Sequence, residues 1–176
     1  MEQKNIRLIS RVDEFPLKPS DGSRLICNSK DIFNAGINKN FVTWGLNNPG
    51  IATSGTFMQV HEMVSHGTSM DIFTGLPGTW NQKWLSQNQF IDFCETYPSW
   101  LRQGRRGRFA LIKKDENKLI DEASPWNNSF VVFVRRRSSG RRSSVLRVDV
   151  HLLKDRHTWS GGAHRLVVSP QIIPLV

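Results

Sequence analysis

The clearest alternation of hydrophobic and polar positions lies in the C-terminal half of the chain and predicts β-strands. Over residues 143–154, apolar side chains recur at every second position, which is the period of a strand. One face of this strand would carry Leu146, Val148, Val150 and Leu152. The opposite face would carry Val145, Arg147, Asp149, His151 and Leu153.

Further strands are predicted on both sides of this segment. Short apolar runs mark strands at 109–113, 118–121, 129–137 and 164–169. A hairpin loop is expected at 138–142, where Gly140 tolerates a positive φ angle. Short connections between consecutive strands favour an antiparallel meander.

One helix is predicted directly before these strands, over residues 86–101. Ser86 and Gln89 have the spacing of a capping box, in which two side chains bind the backbone N–H groups at a helix start. The apolar residues of one helical face follow at Phe90, Phe93, Cys94, Tyr97 and Leu101. Because Pro98 has no backbone N–H, we expect the helix to break or kink near Tyr97.

The N-terminal part of the chain has weaker patterns. They predict short strands at 5–12, 24–28 and 56–64, a helical turn at 30–34, and loops rich in Asn and Gly. The sequence as a whole predicts one compact α+β domain over residues 1–176, with a weak seam near 74–84. A C-terminal antiparallel β-meander would pack on the one main helix within 84–176. Residues 1–80 would form an irregular part with short strands.

Length and composition are those of a globular protein. The chain has 176 residues, 38% of them hydrophobic, and a domain of this size buries enough surface to fold without disulfides. Cys27 and Cys94 form no close pair, which favours a reducing compartment. No apolar run is long enough to span a membrane, and the first residues lack the pattern of a secretory signal. We therefore expect a cytoplasmic protein.

The net charge of +9 is concentrated in one segment of the chain. Residues 1–101 have a balance of −1, and residues 143–176 have a balance of +2. Residues 102–142 hold twelve basic and four acidic residues, a balance of +8. Such asymmetry is typical of a surface that binds nucleic acid.

Two arginine clusters dominate this segment, at 102–108 and 135–142. Arginine binds phosphate through two parallel hydrogen bonds and stacks on bases, which lysine does not. The leading hypothesis is therefore a non-enzymatic nucleic-acid-binding protein, with RNA slightly favoured over DNA. Its predicted phosphate contacts are Arg102, Arg105, Arg106, Arg108, Lys113, Lys114, Arg135, Arg136, Arg137, Arg141 and Arg142.

Aromatic residues among these charges are candidates for base stacking. Trp126 and Trp159 are the two best candidates, because each lies among polar residues typical of a loop. We expect both indole rings to be exposed.

The predicted meander also places the two clusters relative to each other. With a strand at 118–121 between them, the strands at 109–113 and 129–137 would run in the same direction. The clusters would then lie at opposite ends of the sheet, about 20 Å apart. Lys113, Lys114 and the hairpin loop would share one end.

A metal-independent, toxin-like endoribonuclease is the enzymatic alternative. His151, His157 and His164 lie close together in the sequence, and two imidazoles with an arginine can cleave RNA without a metal. A helix followed by a basic antiparallel sheet is compatible with ribonuclease toxins at the level of the fold alone. A purely structural role for His151, beside Arg147 and Asp149, is the competing interpretation.

A protein-interaction module is the third hypothesis, in which the basic hairpin docks on an acidic protein partner. The sequence predicts no metal site, because His61 and His66 are five residues apart, whereas the helical zinc signature requires a spacing of four. It contains no nucleotide-binding motif, so no cofactor is expected. It carries no signal for an oligomeric state.

Overall fold

The computed structural model describes residues 5–11, 13–102, 107–139, 143–161 and 166–171. The strands are β1 (Ile6–Leu8), β2 (Phe15–Leu17), β3 (Gly36–Ile37), β4 (Thr56–Met63), β5 (Gly67–Thr68), β6 (Trp84–Leu85), β7 (Arg108–Lys113), β8 (Ser129–Ser139), β9 (Ser143–Leu152), β10 (Thr158–Trp159) and β11 (Leu166–Pro170). The helices are α1 (Asn40–Thr43), α2 (Ser69–Thr74), α3 (Trp80–Lys83), α4 (Gln87–Thr96) and α5 (Pro98–Arg102). Short 3-10 turns cover Ile26–Asn28 and Pro125–Asn127.

One mixed sheet organises these elements into a single compact α+β domain. Over the described ranges the sheet contains nine strands, with the order β1-β4-β11-β7-β8-β9-β3, while β2 also pairs with β4 and β6 with β7. β11 is parallel to β7 and antiparallel to β4, so strands from both halves of the chain meet at the centre. β5 and β10 form a separate antiparallel pair.

The predicted antiparallel meander exists in β7, β8 and β9. Arg108 of β7 lies opposite Val134 of β8, and Arg135 of β8 lies opposite Arg147 of β9. The strand predicted at 118–121 is wrong. That segment is irregular, and the Lys113 ammonium donates to the Lys118 carbonyl at 2.6 Å, so this backbone is bound within its own loop.

The predicted helix over residues 86–101 is present as two helices. The Ser86 hydroxyl accepts a hydrogen bond from the Gln89 amide, and the Gln89 side chain accepts one from the Ser86 amide, each at 3.0 Å. α4 ends at Thr96, and Pro98 begins α5. Pro98 therefore interrupts the helix where predicted, because proline is accepted at the first position of a helix but not in its interior.

The N-terminal strands are shorter than predicted, and one of them is absent. Residues 24–28 form no strand and end in the 3-10 turn instead. The Ile26 amide donates to the Gln87 side chain, and the Ser29 hydroxyl donates to the Leu25 carbonyl, which holds this segment against α4. Side-chain hydrogen bonds of this kind replace the ladder of a strand.

Hydrophobic side chains cover both faces of the sheet. On one face, α4 packs on a core that includes Phe90, Phe93, Val132, Val134 and Val148. The other face is packed with Phe109, Val131, Phe133, Trp159 and the α2 residue Phe73. In the described part of the chain, none of the helices has the length and apolar character needed to cross a membrane.

His61 is a titratable residue whose side chain is buried in the protein interior. Its side chain lies on β4 and is 4% exposed, and its Nδ1 atom has no hydrogen-bond partner among the described residues. Burial lowers the pKa of His61 to about 4, and the nearby Val167 backbone opposes this shift only in part. The imidazole is therefore neutral at physiological pH.

We expect acid to destabilise the protein through His61. The unfolded chain takes up a proton at the ordinary imidazole pKa of 6.5, whereas the folded protein takes it up only near pH 4. Stability is therefore lost as the pH falls through this window, by roughly 3 kcal/mol for the whole shift. Denaturant unfolding of the wild type and of His61→Leu at pH 7 and pH 4 measures this loss.

The exposed His66, replaced by leucine in the same way, is the matched control. The wild type and His66→Leu should both lose more stability on acidification than His61→Leu. Equal losses in all three proteins would contradict a neutral, buried His61.

Candidate nucleic-acid interface

The most basic part of the described structure is the extension of β8 and β9 beyond β7, which β3 borders at its base. β8 and β9 remain paired from Arg135 opposite Arg147 to Ser139 opposite Ser143, past the point where β7 begins. We call residues 135–139 with 143–147 the basic ribbon. Five residues of extended chain give it a length of about 16 Å.

The described residues that border the two arginine clusters lie at the same end of the sheet. The predicted separation to opposite ends is wrong, because β8 pairs directly with β7 in the antiparallel direction. The first cluster begins at Arg102, the last residue of α5, and ends at Arg108, the first residue of β7. Helix α5 lies against β8. Arg135 follows Val134, the residue opposite Arg108. The described borders of both clusters therefore lie at the base of the basic ribbon.

The arginines of β8 alternate between the two faces of the basic ribbon. Arg135 and Arg137 share the face of Phe133, and Arg136 lies on the opposite face with Val134. Arg136 and Arg137 are exposed, and Arg135 is half-buried. Positive charge is therefore presented from both faces of the basic ribbon.

A buried carboxylate holds two arginines together at the base of the basic ribbon. Arg147 Nε donates to Asp149 Oδ1 at 3.0 Å and to Oδ2 at 3.2 Å. Arg135 Nε lies 3.5 Å from Asp149 Oδ2, which is an ion pair without hydrogen-bond geometry. Asn38 Nδ2, in the side chain, donates to Asp149 Oδ1 at 3.3 Å. Asp149 therefore orients both guanidinium groups and offsets one of their charges.

Gly36 of β3 leaves room for the Arg147 guanidinium because it has no side chain. Gly36 pairs with Arg147 and has a φ angle of +128°, which side-chain-bearing residues rarely adopt. A Cβ atom at this position would lie 3.1 Å from Arg147 Nη1. The glycine therefore allows backbone and guanidinium to approach closely.

Two histidines lie against one tryptophan on the same face of the sheet. The ring centroid of His151 is 5.3 Å from that of Trp159, and the His157 centroid is 4.4 Å from it, both in edge-on geometry. Trp159 Nε1 donates to the Ser69 hydroxyl at 3.1 Å, and the indole also packs edge-on against Phe109. A fixed indole thus brings together two of the three histidines named as catalytic candidates.

Charged groups around His151 affect its protonation. Burial is the main cause of a lowered pKa for His151. The carboxylates of Asp149 and Asp155 oppose this shift, whereas His157 and Arg135 add to it. His151 is therefore near acids, a second imidazole and an arginine at once.

Two of the residues predicted to contact phosphate, Arg108 and Lys113, are buried. Arg108 is 2% exposed, its guanidinium donates through Nε and Nη2 to the Trp100 carbonyl, and burial lowers its pKa to about 10. Lys113 is also buried, with its ammonium bonded to the Glu116 and Lys118 carbonyls. Both cations hold the backbone of neighbouring segments and are not available to a phosphate.

Lys113, Lys114 and Trp126 lie at the far end of the sheet from the basic ribbon. The expectation that both lysines share an end with the hairpin loop is wrong, because Lys113 pairs with Ser129, the first residue of β8. Trp126 is 38% exposed, as predicted, but it precedes Ser129 and is roughly 20 Å from Arg135 along β8. A polar cavity of about 620 Å³ at this end is lined by Lys114, Asp115, Asn117 and Asn128 among others.

The prediction that Trp159 is exposed is wrong. Its side chain is 7% exposed and belongs to the core beside Phe109 and Phe133. The polar residues next to Trp159 in the sequence are exposed, whereas the indole ring of Trp159 points into the core. Trp159 supports the histidines and offers no open face for base stacking.

The remaining candidates lie outside the described residues. These are Arg105, Arg106, Arg141, Arg142 and His164. Within the ranges that are described, no three His, Cys, Asp or Glu side chains come together to form a metal site.

Sequence reasoning missed three residues of this region as site residues. Arg147, Asp149 and Asn38 form the polar network under the basic ribbon. The alternation over 143–154 places Arg147 and Asp149 on one strand face, which was a detectable signal. Asn38 is more than a hundred residues away in sequence and gave no signal, since its role depends on the pairing of β3 with β9.

We expect Asp149→Asn to destabilise the protein by about 1–2 kcal/mol, because it weakens a charged hydrogen bond and leaves two guanidinium groups without a counterion. Glu95→Gln is the matched control, since Glu95 pairs with Arg24 at 2.7 Å but is half exposed. Exposed pairs contribute about 0–1 kcal/mol. Denaturant unfolding measures the free energy of unfolding of both variants. Equal losses of stability would contradict the role of Asp149 as the buried counterion of Arg135 and Arg147.

Comparison of the chain with protein-family models, with curated proteins and with solved structures gives no match. We therefore infer the function of the protein from the charges and contacts of its own residues.

Proposed function

We propose that the protein binds nucleic acid, with RNA slightly favoured over DNA, through the basic ribbon and the residues of the first arginine cluster that precede β7. The observation that carries this proposal is the antiparallel register of β7 and β8, which brings the borders of the two clusters to one end of the sheet. A single polyanion can then contact both.

The charge of this region supports a phosphate ligand. Residues 102–142 carry a balance of +8 on an otherwise nearly neutral chain. Lysine and arginine that neutralise phosphates release condensed counterions, which supplies most of the affinity for nucleic acids of any sequence. The exposed side chains of Arg136 and Arg137 are placed to act in this way.

The shape of the basic ribbon also suits this ligand. A paired, extended segment of about 16 Å spans several phosphates, since successive phosphates of a strand are separated by a few ångströms. Because arginines lie on both faces of the basic ribbon, a flexible single-stranded nucleic acid can wrap around it and contact both sets. Asp149 holds Arg147 in place and attracts Arg135, which lowers the side-chain entropy lost on binding.

Charge neutralisation on the basic ribbon tests this proposal. Replacing Arg135, Arg136 and Arg137 together by glutamine should weaken binding of a 20-nucleotide single-stranded RNA roughly 10- to 100-fold at 0.1 M salt. The slope of log K against log[salt] should fall by up to about two, since each phosphate that the variant no longer neutralises contributes about 0.7 for a single strand. Fluorescence anisotropy over a series of salt concentrations measures both quantities.

The control replaces the exposed residues Lys18, Lys30 and Lys118 together by glutamine. It removes the same number of positive charges as the test variant, but outside the basic ribbon. It should retain most of the affinity and slope of the wild type. A wild-type slope near zero would exclude phosphate neutralisation. Capture of an acidic protein that persists after nuclease treatment, with no RNA affinity, would favour the alternative of a protein-interaction module.

A further inference from the structure

We propose that His151 and His157 form a metal-independent centre that cleaves the RNA bound by the basic ribbon. The inference rests on the proposed function, because the ribbon would supply the bound strand. It adds a reaction and a substrate class, since the reaction requires the 2′-hydroxyl of RNA.

The geometry that points to this centre is the shared contact with Trp159. The rings of His151 and His157 both lie edge-on to this one indole, one from a strand and the other from a loop. Trp159 is fixed by its bond to Ser69 and by its packing on Phe109. The two imidazole centroids therefore lie less than about 10 Å apart, which allows an acid and a base to act on one phosphodiester.

The histidine pair and the basic ribbon share one face of the β8–β9 strand pair. Arg135, Asp149 and His151 lie on one face of the β8–β9 pair, with Phe133 opposite Asp149 and Val131 opposite His151. Arg135 lies opposite Arg147, which is four residues or about 13 Å along β9 from His151, and its guanidinium extends toward His151 as far as Asp149. A phosphate bound between Arg135 and His151 would therefore contact both side chains. Arginine at this position can stabilise the extra negative charge of a phosphorane.

The two histidines differ in exposure, and this assigns their roles. His151 is half-buried, beside Asp149, Asp155, His157 and Arg135, and its lowered pKa keeps it neutral and able to accept a proton at pH 7. His157 is exposed on the loop before β10, where it can exchange protons with water. His151 is therefore the base and His157 the acid.

The reaction balances without a cofactor. His151 takes the proton of the 2′-hydroxyl, and the 2′-oxygen forms a bond to phosphorus. The bond from phosphorus to the 5′-oxygen breaks, and His157 donates a proton to this leaving oxygen. The products are a 2′,3′-cyclic phosphate and a 5′-hydroxyl end. Proton exchange with water returns both imidazoles to their starting states.

The test uses the full chain with a 20-nucleotide, 5′-labelled single-stranded RNA in EDTA at pH 7. The same sequence with 2′-O-methyl groups serves as a binding probe that cannot react by this route. We expect the wild type to bind both strands and to cut only the unmodified RNA, leaving 2′,3′-cyclic phosphate ends that mass spectrometry identifies.

Substitution of the two histidines tests their assignment. His151→Asn and His157→Asn should each lower the cleavage rate by at least about 100-fold, while binding of the 2′-O-methyl strand persists and reports an intact fold. His66→Asn is the matched control, because it removes an exposed histidine from the turn before β5. Its cleavage rate should equal that of the wild type.

The outcomes separate this inference from the proposed function. Binding of the 2′-O-methyl strand with no cleavage of RNA by the wild type would overturn the cleavage centre alone. Cleavage that survives both histidine substitutions would overturn it as well, and would indicate another nuclease. Absence of binding to either strand would overturn the proposed function.

Discussion

The antiparallel register of β7 and β8 is the constraint on which the candidate interface depends. Because Arg108 lies opposite Val134, the chain enters β7 at the end of the sheet where β8 continues into Arg135. The core fixes this register, since a slip by one residue would turn Arg135 toward the apolar core under α4. Burying an unpaired guanidinium there would be costly. The packing of hydrophobic residues therefore determines where the charges meet.

Two buried groups then organise the face beside the basic ribbon. Asp149 holds Arg147 through hydrogen bonds and forms an ion pair with Arg135 across the two strands, so that part of the positive surface is structured before any ligand arrives. Trp159 does the same for His151 and His157 through its ring contacts. A phosphate-binding surface and a pair of imidazoles are thus supported by neighbouring parts of one strand pair, which is the physical link between the proposed binding and the proposed cleavage.

Local signals in the sequence predicted the longer strands β4, β7, β8, β9 and β11, the capping box and the break at Pro98, because each depends on residues close in the chain. The same patterns failed for the placement of the clusters, since one wrong strand at 118–121 reversed the direction of β8 relative to β7. They failed also for Arg108 and Trp159, whose burial depends on tertiary contacts. The composition of the candidate site was thus more predictable than its geometry.

Photo-cross-linking of a short single-stranded RNA, with mapping of the linked peptides by mass spectrometry, tests most directly whether the ligand meets both clusters at one end of the sheet. We expect cross-links to peptides that contain Arg136 and Arg137, and to the peptide that follows α5. Cross-links concentrated instead near Lys114 and Lys118, at the end that holds the polar cavity, would contradict a ligand bound at the shared end of the two clusters.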